Sequence, residues 1–191
     1  MENKETKNDA VDKIIQNHVV YSMTAGAIPI PLADFVAVSA VQVDMLKQIA
    51  DVYGVDYDKN SGKSLASSLV GTSLSKMGAS AIKAIPGIGT LAGVAAQVIL
   101  SGASTYALGW VFNRHFAAGG TLSNFSSDAM KETYDELLKK GKDVAKNLHK
   151  DDDDKDGIKK IEKLKEMLDK GLITEEEYEK TKKDILEKMS T

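Results

Sequence analysis

Ala84-Ile85-Pro86-Gly87-Ile88-Gly89-Thr90-Leu91-Ala92-Gly93 opens the stretch that decides the fold. From Pro86 to Phe112 there is no charged residue, and Gln97 is the only amide. Pro86-Gly87 reads as a turn, and a long helix is expected from Gly89 to about Phe116. Its uncharged part, Gly89–Phe112, holds 24 residues, about 36 Å as a helix. A hydrocarbon core of about 30 Å is shorter than that. Lys83 and Arg114 bracket the run. Gly89-x-x-x-Gly93, Ala92-x-x-x-Ala96 and Thr105-x-x-x-Gly109 place small residues one turn apart, which allows close helix–helix contact. Nearly half of the run is Gly, Ala or Ser, which partition weakly into lipid. A central helix buried in a soluble bundle fits the same pattern.

Upstream lies a second apolar turn, Ala27-Ile28-Pro29-Ile30-Pro31-Leu32, which shares Ala-Ile-Pro with 84–86. Before it, Val11, Ile14, Ile15, His18, Val19 and Ser22 recur at helical spacing behind a capping Asp9. Pro29 disfavours helix in the residue before it, and Pro31 suits the first turn of a new one. That helix is expected from about Leu32 to Tyr53, with Phe35, Val38, Val41 or Gln42, Met45, Leu46, Ile49 and Val52 on one face. Gly54 is its stop. A third helix, capped at Ser61, runs through Leu65, Leu69, Leu74 and Met77. Each turn is followed by a helix with a Gln (Gln42, Gln97) and then a Tyr (Tyr53, Tyr106), which suggests a duplicated hairpin.

Downstream, Ala117-Ala118-Gly119-Gly120 breaks the pattern. Ser126 or Ser127 caps a charged helix through Met130, Tyr134, Leu137, Leu138 and Val144. Residues 1–116 carry 9 acidic and 9 basic side chains, residues 117–191 carry 19 and 16. The front buries its surface; the back reads as solvated helix. Asp151-Asp152-Asp153-Asp154-Lys155-Asp156-Gly157 is a linker extended by like charge. Two short helices follow. Ile158, Ile161, Leu164 and Leu168 form the stripe of the first, stopped by Gly171. Thr174 and Glu177 make a capping box for the second, with Tyr178, Ile185, Leu186 and Met189 inward. The fold class is therefore all-α: two apolar helical hairpins with turns at Pro29, Pro31, Pro86 and Gly87, a charged connecting helix, and a small C-terminal hairpin. The expected divisions are a disordered 1–8, an apolar helical domain at 9–122, a charged helix at 123–150, the acidic linker at 151–157 and the hairpin at 158–191.

Chemistry is not evident. There is no cysteine, so disulfides, thiolate catalysis and Cys-based metal sites are excluded, and a reducing compartment fits. His18, His115 and His149 are far apart and lack the spacing of a metal site or a triad. Asp34 and Asp44 fall on roughly opposite helix faces. Ser61-Gly62-Lys63-Ser64 imitates the end of a phosphate-binding loop, but position 57 is Tyr where that loop needs Gly. Asp152-x-Asp154-x-Asp156-Gly157 imitates a calcium loop, but its twelfth position is Lys163 where a Glu is needed. No cofactor or metal is expected, and the chain is expected not to be an enzyme. A net charge of -3 supplies no basic footprint for nucleic acid. Met1 to Asp12 lacks the apolar core of a signal peptide.

Two family resemblances follow. The segment from Ile161 to Tyr178, with Leu164-x-x-x-Leu168, Gly171 and Leu172-Ile173-Thr174-x-x-Glu177-Tyr178, resembles the bacterial short C-terminal domain, SHOCT. That implies a helical hairpin that mediates association, and a bacterial source. Residues from about 10 to 122 resemble the YcjF-like domain of unknown function found with Era-like GTPases. The likeness rests on Ala27-Ile-Pro-Ile-Pro-Leu-Ala-Asp34, Gln42-Val-Asp-Met-Leu-Lys-Gln-Ile-Ala50, Tyr53-Gly54, Ile85-Pro-Gly-Ile-Gly89 and Thr105-Tyr-Ala-Leu-Gly109. It implies a chain that enters or lies on the inner membrane, at its cytoplasmic face, and a GTPase partner acting in trans, since fused GTPase sequence is lacking here.

The expected function is a membrane-associated helical scaffold that forms homo-oligomers through small-residue faces and recruits through its C-terminal hairpin. A soluble adaptor for a GTPase and a membrane-remodelling or pore-forming effector are the alternatives. Gly93→Leu or Ala96→Leu is expected to reduce oligomer size in light scattering. Unchanged size in both variants would remove those faces as contact surfaces.

Overall fold

Helix α4 (Leu91–Ala117) is the axle of the fold. Its apolar sequence is enclosed by α1 (Glu2–Gly26), α2 (Ala33–Tyr53) and α5 (Ser127–Asp153). Helix α3 (Lys59–Lys83) leans on α2 and α5. The hairpin of α6 (Gly157–Asp169) and α7 (Glu175–Met189) meets α1. The computed structural model describes residues 2–28, 33–83, 91–153 and 157–189, and among them contains no strand. The four turn residues Pro29, Pro31, Pro86 and Gly87 lie outside the described residues, as does Gly89.

The core follows from the helical periods. Val11, Ile15 and Val19 of α1 and Met45, Leu46 and Ile49 of α2 are at most 1% exposed, against Leu108, Val111 and Phe112 of α4. Each such side chain contributes roughly 1.5–3 kcal/mol on burial. Phe112 stacks on Phe125 with ring centroids 4.3 Å apart. His115 meets Phe125 edge-on at 5.0 Å, and its Nε2 lies 2.9 Å from the Thr121 carbonyl oxygen. His115 thereby ties the α4–α5 turn together.

Local stops and starts obey simple chemistry. Gly54 takes φ 68° and Gly171 φ 66°, ending α2 and α6 in the left-handed region open to glycine. The Ser126 hydroxyl accepts the Ala129 amide at the start of α5. At α3 the cap is Asp58, not Ser61: the Ser61 amide donates to Asp58 Oδ1 at 2.7 Å. A carboxylate three residues before the amide suits this role as well as a serine does, and it favours the positive end of the helix dipole.

Two elements differ from the sequence expectation. Helix α1 begins at Glu2, through the stretch expected to be disordered. Lys7 helps hold it, its ammonium 5.5 Å from the centroid of the Tyr53 ring. Helix α5 is not only a charged connector. Tyr134, Leu138, Gly141 and Ala145 form a buried stripe on it, and Tyr134 and Leu138 join the main core. It also continues into the acidic run as far as Asp153. No Pro or Gly interrupts it there, and Asp lowers helix propensity without forbidding helix. The turn of the second hairpin, 84–90, lies outside the described residues. Helices α1 and α2 lie together, whereas α3 contacts α5 more than α4 among the described residues.

Close approach depends on small residues. A Cβ on Gly109 would sit 2.7 Å from Ile15 Cγ1. A Cβ on Gly141 would sit 2.7 Å from the Ala103 carbonyl oxygen and 3.0 Å from its Cα. Those last are backbone atoms and cannot rotate away. Gly141→Ala is therefore expected to destabilise by about 1–3 kcal/mol, although alanine favours helix. Gly71, in α3, has nothing within 4 Å of such a Cβ, and Gly71→Ala should stabilise by roughly 0.5–1 kcal/mol. Urea denaturation of both variants checks the opposite signs.

Candidate functional site

The functional candidate is a polar seam on α1 that joins α2 on one side and the C-terminal hairpin on the other. His18 is 2% exposed. Its Nδ1 lies 2.7 Å from the Ile14 carbonyl oxygen, and its Nε2 lies 2.9 Å from Asp44 Oδ2. The Gln48 amide nitrogen also lies 3.5 Å from His18 Nε2, and the ring tautomer sets which neighbour receives a ring N–H. The Gln48 amide nitrogen also donates to Asp44 Oδ2, at 2.8 Å. The His18 hydrogen bond is the main cause that lowers the Asp44 carboxyl below its ordinary range, against the opposing effect of burial.

One turn further along α1, Tyr21 meets His18 edge-on, with ring centroids 5.5 Å apart. The Tyr21 hydroxyl donates to Glu166 Oε1 and accepts from Lys170 Nζ at 2.8 Å. Lys170 also pairs with Glu166 at 3.1 Å, and Lys163 pairs with it at 3.4 Å. Both ammonium groups lie over the Tyr21 ring, 4.7 Å and 4.6 Å from its centroid. The Tyr21 hydroxyl, followed by Lys170 and against the opposing effect of burial, pulls the Glu166 carboxyl down to about 2. Burial, then the bond to Glu166, pushes the Tyr21 phenol up. Lys163 is thus committed to Tyr21 and Glu166 where a calcium loop would need its last ligand.

A second polar group is fully internal. The Gln42 amide donates to Ser104 Oγ at 2.8 Å and to Thr105 Oγ1 at 3.2 Å. Thr105 Oγ1 donates to Ser22 Oγ at 2.7 Å. These groups are neutral hydroxyls and an amide, so they fix the register of α1, α2 and α4 and offer no acid, base or activated nucleophile. Among the described residues, no group of three metal-ligating side chains occurs. The Ser61-Gly62-Lys63-Ser64 segment is the first turn of α3, and Gly62 lies under the Tyr57 ring. Burial pushes the Tyr57 phenol up to about 12.

The residues singled out from sequence fall into different places. Thr105 and Gly109 are buried between helices of the same chain. Ala96 is exposed on α4; Ala92 and Gly93 lie in α4, with their surroundings outside what is described. In the C-terminal hairpin, Leu164 is buried and Leu168 and Tyr178 are partly buried. The Thr174 amide and hydroxyl donate to Glu177 Oε2 at 2.6 and 2.9 Å, and the Glu177 amide donates to Thr174 Oγ1 at 3.3 Å. This is the reciprocal capping box. Sequence reasoning missed Tyr21, Glu166, Lys170 and the pairing of His18 with Asp44. The one signal was a histidine on the apolar stripe of α1, which needs a buried partner.

The bundle from α1 through most of α5 coincides with a known family. Residues 2–143 match the family described as "Domain of unknown function (DUF697)". The chain belongs to the DUF697 family. Residues 159–186, spanning α6 and most of α7, match the "Short C-terminal domain" SHOCT. The resemblances drawn from the sequence named this domain order. The chain is also 33% identical over 139 residues to "Magnetosome membrane protein 22" of Magnetospirillum gryphiswaldense, covering 70% of this chain and 71% of that protein. None of these descriptions names a reaction. No solved structure matches the chain. In this DUF697 protein the polar seam is therefore the link between the bundle and its SHOCT hairpin.

Asp44 holds its charge more readily folded than unfolded, so its contribution is present above the ordinary carboxylate range and lost as pH falls through its lowered value. Asp44→Asn is expected to cost about 1 kcal/mol at pH 7. The gap from wild type should close on acidification below about pH 4, as measured by urea denaturation at several pH values.

Proposed function

We propose that this protein is a non-enzymatic, membrane-associated helical scaffold of the bacterial cytoplasm, with its bundle at the inner-membrane surface and its C-terminal hairpin used for recruitment or oligomerisation. The observation that carries the membrane reading is the similarity, over seven-tenths of the chain, to a protein named for a membrane. The apolar span Ala95–Ala117 in α4 is long enough to cross a bilayer. In the bundle that span is core: Ala103, Thr105, Ala107, Leu108, Val111 and Phe112 have no exposed surface. Burial of this kind favours attachment at the surface over spanning, because removing α4 would also break the Gln42, Ser104 and Thr105 bonds.

The same burial favours a second reading, a soluble helical adaptor acting on a GTPase or another protein in trans. A remodelling or pore-forming effector is a third, and it requires α4 to leave the bundle. Fractionation of native cells separates the three. The scaffold reading expects the protein in the membrane pellet, retained in high salt and released by alkaline carbonate. Retention through carbonate would transfer support to insertion of α4. Recovery in the soluble fraction from the outset would overturn membrane association and give the adaptor the lead.

A further inference from the structure

Between α1 and the last turns of α4, an open cleft of about 520 Å³ is lined by Asn8, Trp110, Asn113, Arg114, Ala117 and Ala118. Every polar side chain in that lining can donate a hydrogen bond, and none is acidic. Trp110 is the single tryptophan of the chain. Its Nε1–H is shut off from solvent and has no hydrogen-bond partner among the described residues. Asn113 is 5% exposed. Its Oδ1 accepts the Tyr53 hydroxyl at 2.7 Å, which leaves its two N–H groups for another acceptor. Arg114 is exposed and enters no ion pair among the described residues.

A shielded donor without a partner is costly, and the surplus in this cleft is all of one kind. Lys7 adds a positive charge close by, over the ring of the same Tyr53 that bonds Asn113. Asp12, one turn beyond Asn8 along α1, is engaged by the Gln16 amide. The C-terminal end of α4 disfavours an anion. Helix α1 runs antiparallel to α4, with Ile15 against Gly109 and Met23 against Gly102, so its N-terminal turns oppose that effect. Trp110, Ala117 and Ala118 give the cleft an apolar wall beside these donors.

We infer that this cleft binds a phosphate group, carried by an anionic phospholipid or by a small soluble phosphate ester. The Arg114 fork matches a pair of phosphate oxygens. Positions 110, 113 and 114 are three and four apart on one helix, so the indole and the Asn113 amide stand beside that fork. A phosphate presents enough acceptors for donors on several side chains, whereas a carboxylate presents two oxygens. The wall of Trp110, Ala117 and Ala118 suits the carbon part of an ester better than a bare ion. Because the Nε1–H is shielded, the indole must shift for a ligand oxygen to reach it, and the surroundings of the ring change on binding. The lipid form rests on the membrane reading above and supplies it with a point of contact; the soluble form does not depend on it.

Tryptophan emission from the full-length chain reports this cleft alone, because Trp110 has no second tryptophan to compete with it. The protein is titrated with sodium glycerol phosphate and, separately, with phosphatidylcholine vesicles containing phosphatidylglycerol, at one ionic strength. Its net charge of -3 gives no general attraction to the anionic vesicles. Arg114→Gln, Asn8→Asp and Lys183→Gln all change the net charge by the same amount. Arg114 and Asn8 are exposed in the cleft, whereas Lys183 lies on α7 with its side chain 74% exposed. Circular dichroism confirms retained helix. Emission is expected to shift with glycerol phosphate, with the vesicles or with both. Arg114→Gln and Asn8→Asp should each weaken Kd by about tenfold, as would a loss of about 1.4 kcal/mol, and Lys183→Gln should match wild type. A response to vesicles alone assigns the phosphate to the lipid, and a response to glycerol phosphate alone assigns it to a soluble ester. No shift with either probe, or the same affinity in Arg114→Gln and Asn8→Asp as in wild type, would overturn the site. If native fractionation still found the protein on membranes, the membrane reading would survive that failure.

Discussion

The distance between helix axes around α4 is the constraint on which the rest depends. Gly102 lets Met23 of α1 pass within 2.6 Å of where a Cβ would stand, Gly109 does the same for Ile15, and Gly141 of α5 lies against the backbone of Ala103. Larger side chains there would push α1 and α5 outward. The Phe112–Phe125 stack and the Gln42, Ser104, Thr105 and Ser22 bonds would then be out of reach. A stretch rich in glycine and alanine is a poor membrane anchor by composition but a good surface on which other helices can lie close. Both properties come from the same residues.

Two kinds of polar contact divide the molecule. Inside the bundle, neutral hydroxyls and an amide bond to one another with no water needed, which fixes how α1, α2 and α4 are registered. At the junction with the C-terminal hairpin, charged groups do the joining, partly in solvent. Internal neutral bonds are insensitive to salt and pH, whereas the Glu166 and Lys170 contacts depend on both. Helix α1 carries both kinds of contact, with the His18–Asp44 pair joining it to α2 between them.

What could be read from the sequence was local. The long helix of α4 announced itself by the absence of charge from Pro86 to Phe112. The glycine at 171 and the Thr174–Glu177 box were legible because stop and cap act over three or four residues. Helix α5 was harder, because its charged composition masked a spacing of 134, 138, 141 and 145 that places Tyr134, Leu138, Gly141 and Ala145 on one side. The polar seam was out of reach. His18 and Asp44 are 26 residues apart, and nothing local in Tyr21 points to Lys170. The start of α1 was misread because its anchor, Lys7 over Tyr53, comes from another helix.

The separation of Tyr21 from Lys170 by 149 residues also has a meaning in time. At synthesis rates of about 5–20 residues per second, Lys170 follows Tyr21 by roughly 7–30 s. For that interval Ala25, Ile28, Ala37 and Val41 are already made while Leu164 and Met167 are not. The nascent chain passes through a stage in which its first hairpin is uncovered by necessity. During that interval the surface that Leu164 and Met167 later cover has no partner from its own chain.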